Sequence, residues 1–121
     1  MMAKEKRKGL IRMRKVIEGK RYDTETATKV ADDSYSNYGD LAYWSEELYR
    51  TQKGNWFLAG EGGAMTRYAR AVGQNEIGGG SAIIPLTRGK ALSWLEAHTS
   101  DSESYEKYFT DVLEGAWKGG D

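Results

Sequence analysis

The apolar positions of this chain change period from segment to segment, and the changes mark its elements. Lys15-Val16-Ile17 and Lys20-Arg21-Tyr22 flank Glu18-Gly19, the spacing of a hairpin with a two-residue turn in which Gly19 supplies a positive φ. Thr24, Thr26, Thr28 and Val30 then alternate with Glu25, Ala27 and Lys29, a period of two that predicts a strand. Because Asp23 and Thr24 can cap, a short helical turn over residues 23–27 is the alternative. Residues 32–40, Asp-Asp-Ser-Tyr-Ser-Asn-Tyr-Gly-Asp, read as an exposed polar loop. Strands follow at Glu47–Thr51 and Asn55–Gly60, joined through Gln52-Lys53-Gly54-Asn55 with Gly54 left-handed. The second places Trp56 and Leu58 on one face and Phe57 and Ala59 on the other, the pattern of a strand covered on both sides.

Beyond Gly60-Glu61-Gly62-Gly63, residues 64–72 carry Met65, Tyr68, Ala69 and Val72 at helical spacing, which predicts a short helix. Four glycines make residues 73–80 a flexible loop, and Ser81–Leu86 is a strand held near an edge by Pro85. Thr87 is an N-cap for a helix over residues 88–98 that carries Ala91, Trp94 and His98 along one side. Tyr105, Tyr108, Phe109, Val112, Leu113, Ala116 and Trp117 then form an amphipathic stripe, introduced by Ser100 and Glu103 at capping-box spacing, so the last helix is expected near residues 102–117. This stripe packs either on the chain's own sheet or on a partner. The predicted fold is α+β: a small, mostly antiparallel sheet covered by C-terminal helices. Residues 1–12, without period, are read as a disordered basic arm, and residues 13–121 as a single α+β domain; Met13 is an alternative start.

Composition narrows the function. The 121 residues hold 18 Lys and Arg against 18 Asp and Glu, so neither a uniformly basic nucleic-acid binder nor a uniformly acidic mimic fits. With no cysteine, disulfide frameworks and thiol chemistry are excluded, and with His98 as the single histidine a metal site has few ligands to draw on. No apolar run has the length of a membrane span and the basic N-terminus lacks the apolar stretch of a secretory signal, so a cytoplasmic setting is expected. No cofactor is implied. Gly60-Glu61-Gly62 follows a strand, but Met65 stands where a dinucleotide fingerprint needs glycine and no Gly-Lys-Ser/Thr follows; a tight turn with close backbone packing is the better reading. Asp32-Asp33 and Glu46-Glu47 are adjacent pairs whose members point to opposite faces of a strand, which reads as solvated charge, not as a catalytic dyad. No serine sits in a Gly-x-Ser-x-Gly elbow to complete a triad with His98. No catalytic residue is assigned, and the chain is read as a non-enzyme.

Two features point to binding. Half of the 14 aromatic rings fall between residues 35 and 57, interleaved with carboxylates. Tyr35, Tyr38, Asp40, Tyr43, Trp44 and Glu47 are the candidate partner-binding residues, because Tyr and Trp anchor protein interfaces and the negative charge favours a basic partner surface. Residues 1–22 carry nine Lys and Arg against two Glu, a net of +7. The alternative is therefore a nucleic-acid-binding module whose Arg7, Lys8, Arg12, Arg14 and Lys15 meet phosphates.

The strings from Val16 to Ala27 (VIEGKRYDTETA) and from Leu48 to Gly63 (LYRTQKGNWFLAGEGG), with Ile83-Ile84-Pro85-Leu86-Thr87 and Trp94-Leu95-Glu96, resemble a family of small proteins carried by phages and mobile elements of Gram-positive bacteria. The resemblance spans roughly residues 13–98. The family has no established activity, so no site residue carries over. The resemblance implies an accessory protein that acts by binding a host protein, such as a nucleic-acid enzyme, the class that includes inhibitors of defence systems such as CRISPR.

Overall fold

The computed structural model describes residues 12–99 and 102–110. It opens with the expected hairpin, β1 (Arg14–Ile17) and β2 (Lys20–Asp23), paired antiparallel. The turn residues Glu18 and Gly19 have φ of 52° and 80°. Two successive positive φ values give the twist that matches the flanking strands, and Gly19 adopts its value without a Cβ penalty. The strand predicted from Thr24 begins only at Thr28; the helical-turn alternative occupies residues 23–27. There the Ala27 amide donates to the Asp23 carbonyl (3.0 Å) and the Glu25 amide to the Asp23 carboxylate (2.9 Å). An aspartate that bonds the backbone two residues on favours a turn over a ladder, which outweighs the alternation of the threonines.

The main sheet is antiparallel throughout. It contains β3 (Thr28–Tyr35), β4 (Trp44–Arg50), β5 (Trp56–Gly62) and β8 (Gly80–Leu86), in the order β3-β4-β5-β8. β5 is interior and carries two cores. Trp56 and Leu58 pack with Leu48, Ala91, Trp94, Leu95 and Phe109 on one face, and Phe57 and Ala59 with Tyr22 and Tyr49 on the other. The first face is covered by α1 (Arg88–His98) and α2 (Ser102–Tyr108), the second by the β1–β2 hairpin. The expected α+β architecture is thus the observed one. Thr87 caps α1 as predicted, its hydroxyl accepting from the Lys90 amide at 3.2 Å. Of the C-terminal stripe, Phe109 is buried against Trp56 (ring centroids 5.3 Å apart), while Val112, Leu113, Ala116 and Trp117, and the cap at Ser100, lie outside the described residues.

Two predicted segments differ. Asp32–Tyr35 belong to β3: its ladder with β4 pairs Asp32 with Glu47, Asp33 with Glu46 and Tyr35 with Trp44, so the exposed loop is only residues 36–43. An edge strand needs backbone pairing along one side only and tolerates polar side chains, which is why composition mistook it for a loop. The helix predicted over residues 64–72 and the glycine loop over residues 73–80 are instead turns followed by a second hairpin, β6 (Arg70–Gly73) with β7 (Glu76–Gly78). Tyr68 is 1% exposed while Met65 and Val72 are 72% and 61% exposed, so these residues form no common stripe. The reason lies in β5. A Cβ on Gly60 would run into the Tyr68 hydroxyl, so the missing side chain makes the space into which the Tyr68 ring descends. Close backbone packing at these glycines is as expected, but Gly60 and Gly62 lie within a strand and not in a tight turn.

Gly60→Ala should therefore expel Tyr68 and destabilise the fold by about 1–3 kcal/mol, the usual size of an overpacking penalty. Gly39→Ala, which adds a methyl facing open space, should stay within about 0.5 kcal/mol of the parent. Urea unfolding of the three proteins, followed by Trp fluorescence, measures both.

Candidate functional site

Glu46 shares a face of β4 with Trp44 and Leu48, and it is where the apolar core gives way to chemistry. Its side chain enters the protein at 6% exposure, beneath the C-terminal half of α1. Trp94 and His98 stand one turn apart on that helix and both reach this point, while the chain at residues 66–68 closes the other side. The Trp94 indole Nε1 donates to Glu46 Oε1 at 2.9 Å. On Oε2 the Tyr68 hydroxyl donates at 2.6 Å and Arg67 donates through Nη2 at 2.8 Å and Nε at 3.2 Å. Burial pushes the Glu46 pKa up, but the Tyr68, Trp94 and Arg67 donors outweigh it and hold the carboxyl below its ordinary range. Tyr68 moves the other way: burial and the adjacent carboxylate raise its phenol above the usual tyrosine value. Glu46 is thus an ionised, fully answered carboxylate, suited to organising its neighbours and not to delivering a proton.

Above it lies a cleft of about 600 Å³ walled by Tyr35, Trp44, Tyr68, Trp94 and His98, with Met65 and Arg67 on its rim. His98 stacks on Trp94 (4.5 Å, 24°), meets Trp44 edge-on (5.6 Å, 83°) and is held by Asp33, whose Oδ2 is 2.9 Å from Nδ1. The cross-strand register explains these partners. Asp33 sits opposite Glu46 and Asp32 opposite Glu47, arrangements that repel unless compensated. On the cleft face the compensation comes from His98, Tyr68, Trp94 and Arg67. On the other face Lys29 lies 2.7 Å from Asp32 and 3.7 Å from Glu47, and Tyr49 donates its hydroxyl to Glu47 at 2.8 Å.

A second hollow of about 480 Å³ adjoins at the same end of the sheet, lined by Tyr38, Asp40, Leu41, Tyr43, Glu61 and Ile77 among others. Tyr43 donates to Glu61 at 2.7 Å, and burial followed by that carboxylate pushes its phenol up to about 12. The Tyr38 ring leans on it at 5.1 Å.

The structure brings together most, but not all, of the residues singled out in the sequence. Tyr35 and Trp44 face each other across β3 and β4 in the first cleft, and Tyr38, Asp40 and Tyr43 line the second. Glu47 lies on the opposite face of the sheet, 3% exposed, and is not part of this surface. The reading of Glu46-Glu47 as solvated charge is corrected: both are buried, Glu46 beneath α1 and Glu47 on the opposite face beside Lys29 and Tyr49. Of the basic residues, Arg7 and Lys8 lie outside the described residues, and Arg14 and Lys15 are exposed on β1. Arg12 is bonded into the fold through Asp23 (2.9 and 3.2 Å) and Glu25 (2.8 Å). The cluster of Glu46, Tyr68, Arg67, Trp94 and His98 was missed. Its one local signal was a glutamate between Trp44 and Leu48 on a face otherwise apolar. Among the described residues, no group of three or more His, Asp or Glu is placed to hold a metal, and no helix is long and apolar enough to cross a membrane. Comparison with protein-family models, curated proteins and solved structures returned no match.

Glu46 and Asp23 both titrate below their ordinary range, Asp23 pulled down to about 2 by Arg12 and the Glu25 amide. Their folded pKa values lie below the unfolded ones. The stability they confer is complete above the unfolded carboxylate range, about pH 4–5, and drains as pH falls through the folded values. The urea midpoint should be flat above about pH 5 and fall steeply below it. Glu46→Gln should lower the neutral-pH stability by about 1–3 kcal/mol, since a neutral amide cannot answer all three donors, and should flatten the acid limb. Midpoints measured from pH 7 downward for parent and variant give both results.

Proposed function

We propose that this chain is a non-enzymatic, protein-binding accessory protein of a phage or mobile element, working in the host cytoplasm by covering a basic surface of a host protein. One observation carries the reading. Among the described residues seven large apolar side chains are exposed, and five of them, Tyr35, Tyr38, Leu41, Met65 and Ile77, line the two clefts at one end of the sheet. Apolar groups so concentrated, with Trp and Tyr walls beneath them, have the character of an interface core. Asp33, Asp40 and Glu61 line its margin, which favours a partner presenting Lys or Arg. An incoming guanidinium or ammonium would meet the same combination that Arg67 already uses within the chain, a carboxylate beside an aromatic face, with Arg67 5.5 Å from the Tyr68 ring centroid. Within the setting that the resemblance implies, the partner class is a nucleic-acid enzyme, and the action is steric inhibition of a defence system such as CRISPR.

The test is capture from a Gram-positive host lysate, with nuclease, followed by titration of the purified partner. The parent should retain one protein in near-stoichiometric amount. Tyr38→Ala, Leu41→Ser and Met65→Ser, all at exposed positions and combined in one chain, should weaken the complex at least about 100-fold while leaving the melting temperature unchanged. A partner held equally well by the triple variant would overturn the assignment.

A further inference from the structure

The end of the sheet remote from the clefts has the opposite electrostatic character. There the tip of the β1–β2 hairpin approaches the turn between β4 and β5, enclosing a hollow of about 550 Å³. Lys20 and Arg21 line it from β2, and Lys53, with Thr51 and Asn55, from the turn. All three cations are exposed, and among the described residues no carboxylate lies within ion-pairing distance of any of them. That separates them from other cations of the chain: Arg12 is matched by Asp23 and Glu25, Lys29 by Asp32 and Glu47, Arg67 by Glu46. Three like charges around one hollow with no ion-pair partner contribute no pairing to the fold, so their grouping points to a role outside it. Arg14 and Lys15 are further exposed cations on β1.

The lining identifies the ligand class. It holds no aromatic ring and no large apolar side chain, so it lacks both the stacking platform of a single-strand binder and the anchor pocket of a protein interface. What remains is positive charge with small polar groups, which matches phosphate oxygens and reads no base. We propose that this hollow binds the phosphodiester backbone of a nucleic-acid duplex, Lys20, Arg21 and Lys53 each meeting a phosphate, independently of base sequence. The site lies at the opposite end of the sheet from the protein-binding clefts, and neither requires the other.

The experiment is fluorescence anisotropy of a short labelled DNA duplex of arbitrary sequence, titrated with the full chain at several salt concentrations. The expected result is binding that is indifferent to sequence and weakens with salt with a log–log slope of at least about −3 in magnitude, for three phosphates met. A full-chain variant combining Lys20→Gln, Arg21→Gln and Lys53→Gln, with unchanged circular dichroism and melting, should weaken binding by about tenfold or more at roughly 50 mM salt and lose about 2–3 from the slope. A second full-chain variant neutralising Lys4, Lys6, Arg7 and Lys8 measures the share of that segment. The proposal is overturned by absence of binding at low salt. It is equally overturned if the Lys20–Arg21–Lys53 variant binds like the parent, which would assign binding to the N-terminal segment, or if a single strand binds much more tightly than the duplex. The Tyr38, Leu41 and Met65 changes should leave duplex binding intact, so loss of host-protein capture and loss of duplex binding report separately.

Discussion

A carboxylate removed from water must be answered by donors, and for Glu46 the donors come from parts of the chain that have no other reason to meet. β4 supplies the carboxylate, α1 supplies Trp94, and the turns after β5 supply Arg67 and Tyr68. Leaving such a charge without its partners would cost several kcal/mol, a large fraction of a small domain's stability. The requirement therefore fixes where α1 ends against the sheet and where the chain from Gly63 to Ala69 must run. The cleft is a by-product of that arrangement: with Trp94 and Tyr68 turned down onto Glu46, their rings become walls, and His98 is stacked into place between Trp94 and Trp44.

The absence of a side chain is as important as the carboxylate. Gly60 lies in the middle of β5, where glycine weakens a strand, and its value is the room it leaves for Tyr68. The excursion from Gly63 to Gly79 closes on the sheet only because glycines on both sides allow the backbones to touch; a Cβ at Gly79 would strike the Gly62 carbonyl. A segment held by a few close approaches of this kind can present Met65, Val72 and Ile77 outward, and so carry much of the exposed apolar surface.

Zero net charge conceals a division of charge along the sheet. Carboxylates and rings gather where β3 ends and β4 begins, and unpaired Lys and Arg gather where the hairpin tip meets the β4–β5 turn. The first surface has the apolar content of a protein interface and the second does not. The two ends of one sheet are thus chemically distinct.

The features legible in the residues were those set by local chemistry. The Glu18-Gly19 turn, the doubly apolar Trp56–Ala59 strand, the left-handed Gly54 and the Thr87 cap each depend on the residues within one turn or one strand, and each is found as expected. So is the gathering of Tyr35, Tyr38, Tyr43 and Trp44, which neighbouring segments bring to one end of the sheet. The register of β3 against β4 was not legible, because it sets Asp33 opposite Glu46 and Asp32 opposite Glu47, and the apparently solvated Glu46-Glu47 pair is buried. Nor was the path of residues 64–80, where the spacing over residues 64–72 suggested a helix while Gly60 in β5 drew Tyr68 away. By itself the sequence determined the α+β class, the two-faced central strand and the concentration of aromatic residues, since these follow from periodicity and turn chemistry. Only the tertiary structure decided which carboxylates are buried and which cations are unpaired, because both depend on which distant side chains share a space, and no local pattern encodes that distance.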